Sequence, residues 1–111
     1  MEGSGYYIAT LDERRRRVRS KGLFARGNGR WTIDGEGLSF RRLMTKEPIC
    51  IPRHRIRSVR LSRSSWWAGR WLPRRPIVEV EWTCEDGSAM VAGFVLSRDP
   101  AETQRAIDLL T

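Results

Sequence analysis

One histidine, two cysteines and two lysines are all that 111 residues offer of three residue types on which much chemistry depends. His54 stands in Arg53-His54-Arg55, where no neighbouring carboxylate orients it as a base. Cys50 and Cys84 have no second pair, which excludes the usual zinc spacings and a disulfide framework, and a reduced setting is the expectation. No nucleophile motif, phosphate loop or carboxylate pair is present. The chain is therefore expected to be a non-enzyme, with no cofactor and no metal. Long apolar runs are missing too. The longest uncharged stretch, Gly87–Ser97, has 11 residues, and a spanning helix needs ~20. Residues 1–11 lack the basic start and apolar stretch of a secretory signal. A cytoplasmic location is expected, with peripheral association at the inner membrane as a variant.

What the chain has in plenty is arginine, 19 residues against two lysines. The charge is unevenly spread. Residues 12–75 carry a net +14 and residues 76–111 a net −5, within a total of +8. Such a basic pole suits phosphates or an anionic surface. Codon bias toward arginine and ordinary solvation account for some of these side chains.

The apolar pattern is that of short strands. Residues 1–5 read as a leader, and 6–17, with the repulsive Arg14–Arg17 run, as a partly ordered arm or an edge strand. This gives a basic arm over 1–17 and a domain over 18–111. Gly27-Asn28-Gly29 reads as a breaker between strands at 18–25 and 30–33. Asp34-Gly35-Glu36-Gly37 is a hairpin signal before Leu38–Leu43. Ile49 and Ile51 flank Cys50 in a short strand limited by Pro52. Residues 55–61 combine one turn with a strand. Val78, Val80 and Trp82 alternate with Glu79 and Glu81, predicting a half-buried strand with a solvated acidic face. Met90, Ala92, Phe94 and Leu96 line one face of the next strand. Val91 and Val95 make its other face apolar, so it is expected to be central. Then the period changes. Asp99 as N-cap, Pro100 at the first position and Glu102 three residues on predict a helix with a Thr103, Ala106, Ile107, Leu110 stripe. Trp31, Trp82, Met90 and Phe94 are expected in the core.

Seven short strands and one closing helix imply a β-sandwich or open barrel plugged by the helix. Over roughly residues 18–110 the chain resembles bacterial pleckstrin-homology-like and GRAM-like domains. The resemblance is carried by Gly29-Arg30-Trp31-Thr32-Ile33-Asp34, Gly37-Leu38-Ser39-Phe40, Ile51-Pro52 with Ile56 and Val59, Val78-Glu79-Val80, Asp86-Gly87 and the closing helix. It implies a mainly β fold: a two-sheet sandwich of about seven antiparallel strands and one C-terminal amphipathic helix. It also implies binding of lipid headgroups, peptides or other domains, without catalysis. The eukaryotic branch often grips inositol phosphates with a basic cluster in the first hairpin. Lys21, Arg26 and Arg30 occupy the corresponding region here.

The most unusual segment runs from Ser62 to Pro76. It holds Trp66, Trp67 and Trp71 with Arg63, Arg70, Arg74 and Arg75. Long connections in small domains tend to be functional or disordered. Together with Arg53, Arg55 and Arg57, these residues are the candidate binding surface. A protein partner or a second copy fits best, because Trp and Arg are enriched at interfaces. An anionic membrane is the next reading, with indoles at the headgroup level and arginines on phosphates. Single-stranded nucleic acid, with indoles stacked on bases, is the third.

Overall fold

A computed structural model describes residues 1–14, 16–18, 27–43, 47–62 and 76–111. Among these residues there are seven strands: β1 (Glu2–Leu11), β2 (Gly27–Asp34), β3 (Gly37–Arg42), β4 (Ile49–Pro52), β5 (Ile56–Ser62), β6 (Ile77–Thr83) and β7 (Ala89–Val95). A 3-10 turn at Arg53–Arg55 precedes β5, and the helix α1 (Pro100–Leu110) closes the chain. All neighbours pair antiparallel in the order β4-β3-β2-β1-β7-β6-β5. The expected mainly β architecture is found, with its two halves continuous through β1. That strand pairs with β2 over Glu2–Tyr7 and with β7 over Tyr6–Leu11.

The sheet folds back on itself. In the pairing order β3 and β7 are three spacings apart, about 14 Å if the sheet were flat. Yet Phe40 of β3 and Phe94 of β7 have ring centroids 5.5 Å apart, with Tyr7 tilted against both. The inner face is the larger core, including Trp31, Ile33, Leu38, Ile51, Val78, Val80, Trp82 and Leu96. A second apolar cluster on the outer face joins Ile8, Ala9, Leu11, Ile77 and Val95. The central position expected for β7 is thus correct, as are the core positions of Trp31, Trp82 and Phe94. Met90 packs on the core from a partly buried position.

Three expectations need correction. The first is the arm over 1–17: Glu2–Leu11 is a strand at the centre of the sheet. Its glycines are spacers for packing. A Cβ on Gly5 would stand 2.3 Å from the Val95 carbonyl oxygen, and one on Gly3 2.9 Å from the Trp31 indole. Trp31 lies across this gap and donates from Nε1 to the Leu96 carbonyl at 2.7 Å. The seven strands are accordingly a different seven, with β1 as the first; of the strand expected at 18–25, only Val18 falls among the described residues. The second correction is Gly27-Asn28-Gly29, which opens β2 instead of breaking the chain. A Cβ at Gly29 would meet the Arg41 carbonyl oxygen at 2.2 Å. Third, Glu79 is not solvated: it is 6% exposed, and its carboxylate accepts from Arg60 Nε at 2.7 Å.

The helix matches its expectation. Asp99 Oδ1 accepts from the Ala101 amide at 3.0 Å, and Thr103, Ala106, Ile107 and Leu110 are buried. Glu102 differs in detail. Its carboxylate accepts from the Ser97 hydroxyl at 3.2 Å, and that same oxygen accepts the Asp99 amide.

Candidate functional site

Among the described residues, β5 ends one side of the sheet and pairs only with β6. Exposed sheet edges invite pairing with other chains unless charge or a bulge blunts them. Both devices are here. The register slips between Ile56 and Ser58, which leaves Arg57 as an exposed extra residue in the strand. Bulges of this kind also re-aim side chains.

The basic residues around this edge fall into distinct roles. Arg53 reaches across and donates from Nη1 to the Leu109 carbonyl in the last turn of α1. A cation there satisfies an orphan carbonyl and complements the helix dipole. Arg60 is occupied by Glu79, whose carboxylate raises the Arg60 pKa through a hydrogen bond and charge attraction. Since the Arg60 side chain is 63% exposed, solvent screens much of that pairing. Arg55 and Arg57 have no carboxylate partner among the described residues. Of these three, Arg53 is thus tied to α1, whereas Arg55 and Arg57 form no ion pair among the described residues. Arg63, Trp66, Trp67, Arg70, Trp71, Arg74 and Arg75 lie outside the described residues, as do Lys21 and Arg26.

Among the described residues, two clefts mark the outer surface. A cleft of about 820 Å³ runs between the β2–β3 turn, β4 and the 3-10 turn. It mixes Asp34 and Glu36 with Arg53 and His54, and it holds Cys50, an exposed free thiol. A second cleft, about 560 Å³, opens where β1 leaves β7 and is lined by Ser4, Tyr6, Asn28, Arg30, Leu43 and Arg98 among others. Sequence reading missed this cluster, because Arg30 and Arg98 are far apart in the chain. It also missed Arg42, which is 3% exposed. The alternation Leu38, Phe40, Arg42 was the available signal, since every second residue of β3 faces the core. The Arg42 guanidinium lies 5.6 Å from the Tyr7 ring centroid and donates to the Glu47 carbonyl at 3.4 Å. Burial lowers its pKa.

A continuous seven-stranded antiparallel sheet, folded over a shared aromatic core and closed by one C-terminal helix, is the arrangement that the residue pattern resembled. Residues 1–110 match the bacterial PH domain-like family. The chain belongs to that family. The match takes in the first residues, in keeping with the central place of β1. No curated protein matches the chain. Domains of the PH-like kind are generally binding modules and not catalysts. Among the described residues of this PH-like domain, no helix is long and apolar enough to cross a membrane. Nor do three His, Cys, Asp or Glu side chains among them gather closely enough to hold a metal ion.

Proposed function

We propose that this PH-like domain is a non-catalytic, cytoplasmic docking module that meets an acidic protein surface, or a second copy of itself, along its β5 side. Arg55 and Arg57 would act with Arg63, Trp66, Trp67, Arg70, Trp71, Arg74 and Arg75, which follow β5 in the chain. The supporting observation is the bulge. It leaves Arg57 exposed on the strand that, among the described residues, ends the sheet and that leads into the Arg/Trp-rich segment. Rings and guanidiniums carry much of the energy where proteins meet. An anionic membrane is the second reading, favoured by Leu61, which is 40% exposed beside Arg60 on the same strand. Each basic side chain near such a surface contributes ~1 kcal/mol.

Light scattering tests self-association, and a dimer lost on Trp67→Ala supports the first reading. Binding of polyglutamate that weakens with salt and with Arg57→Gln supports an acidic protein partner. Flotation with anionic but not neutral vesicles moves the assignment to the membrane. Preferential, salt-steep binding of single-stranded oligonucleotides moves it to nucleic acid. A monomer that ignores every one of these probes overturns the docking reading.

A further inference from the structure

The outer face of the β1–β2–β3 half carries an unusual row. Ser4, Arg30 and Arg41 stand directly across from one another on three adjacent strands. All three are exposed, since the alternation of β2 and β3 sends Trp31 and Phe40 inward. Two like charges directly opposite on one face destabilise a sheet pair. Neither Arg30 nor Arg41 forms an ion pair among the described residues, and Glu2, two residues from Ser4 on the same face, is the one carboxylate in register near them on β1. The Arg30 guanidinium instead donates to the Ser4 hydroxyl at 3.4 Å, a long bond that leaves the hydroxyl hydrogen free to point outward.

A third cation joins from elsewhere in the fold. Past Val95, β7 parts from β1, and the chain turns through Ser97 and Arg98 toward α1. The opening between the parting strands is the cleft of about 560 Å³, and Arg98 and Arg30 both line it. Arg98 is exposed and has no carboxylate partner among the described residues. Both acidic side chains of that turn have partners of their own: Asp99 accepts from the Ala101 amide and Glu102 from the Ser97 hydroxyl. Asn28 adds an exposed amide, while Tyr6 and Leu43, the latter 74% exposed, give the rim apolar surface.

We infer that this cleft is a binding site for a small phosphomonoester, with the phosphate between Arg30 and Arg98 and its organic body against Tyr6 and Leu43. The volume lies within the range of small-ligand sites. A dianion matches the surplus cations, and guanidinium forks recognise phosphate oxygens in pairs. The Ser4 hydroxyl and Asn28 amide supply the further donors that three phosphate oxygens accept. Bound anion would also relieve the repulsion between Arg30 and Arg41. The site is several strands away from β5 and does not depend on the docking proposal.

The test is titration of isotope-labelled protein with glycerol 3-phosphate, followed by amide shifts. Saturable shifts centred on Ser4, Arg30 and Arg98 are expected. Arg30→Gln and Arg98→Gln should each weaken binding about tenfold, and Arg105→Gln, on the exposed face of α1, should leave it unchanged. The same spectra report whether each variant folds. Arg41→Thr supplies a signature that general attraction to a basic protein does not: it raises the unfolding temperature without ligand and lowers the affinity. Flotation of phosphatidylcholine vesicles with and without phosphatidic acid separates the two sources of such a headgroup. Tighter binding to the phosphatidic acid vesicles than to the free ester assigns a lipid, and weaker binding assigns a soluble ester. Shifts that do not saturate, or an affinity indifferent to Arg30 and Arg98, would overturn the proposal.

Discussion

Tyr7 sets much of the chemistry of the core. A bulge in β1 slips the register between Tyr7 and Ala9, so Tyr7 and Thr10 share the inner face. Their hydroxyls hydrogen-bond at 2.6 Å, fully buried. Tyr7→Phe strands the Thr10 hydroxyl and should cost about 1–2 kcal/mol in urea unfolding at neutral pH. Burial raises the Tyr7 pKa above 10.0, outweighing the Thr10 bond and the nearby Arg42 and Arg17 charges. Above pH 10.0 the unfolded chain therefore releases a proton that the folded chain keeps. The unfolded state binds fewer protons there, so stability falls as pH rises. Tyr7→Phe should flatten that fall, and an unchanged alkaline slope would contradict the assignment. Gly5 offers a second residue-scale check. Gly5→Ala drives a methyl toward the Val95 carbonyl and should cost about 1–3 kcal/mol. Gly35→Ala meets nothing within 4 Å and should stay within about 0.5 kcal/mol.

Elements differ in how plainly the sequence announced them, and the differences have physical causes. α1 was legible because its cap, first-turn proline and apolar stripe all act within one short window. β6 and β7 were legible because their branched and aromatic residues alternate with little interruption. The acidic face of β6 was misread because burial of Glu79 depends on Arg60, a residue of another strand. β1 was missed because Gly3, Ser4 and Gly5 carry no strand propensity; what demands them is the Trp31 indole and the Val95 carbonyl, both remote in the chain. Of the candidate site, the basic character of 53–57 was legible, but the division of labour was not. Arg53 serves α1, so Arg53→Ala should lower the unfolding temperature while leaving polyglutamate binding close to that of the unaltered protein. A binding loss equal to that of Arg57→Gln would return Arg53 to the docking surface. At the other end of α1, Asp99→Ala should cost about 1 kcal/mol and Asp99→Asn less, because either oxygen-bearing side chain can receive the Ala101 amide.

At the scale of the whole molecule, the two meanders β2–β4 and β5–β7 are joined into one sheet by the strand that precedes them both. β1 supplies the backbone pairing for one edge of each: Glu2–Tyr7 for β2 and Tyr6–Leu11 for β7. It also brings Tyr7 between Phe40 and Phe94 and seats the indole of Trp31 over its glycines. Removing residues 1–11 would expose two unpaired edges and open the aromatic core at once. Deletion of that stretch is therefore expected to abolish cooperative unfolding, where removal of a solvated arm would leave the domain intact. Hydrogen exchange gives the same contrast without a truncation. Amides of Tyr7, Thr10 and Leu11 should exchange only with global unfolding, as slowly as those of Val80 and Ala92 at the heart of the sheet. Fast exchange along β1, with β6 and β7 still protected, would mean that the halves hold together without it.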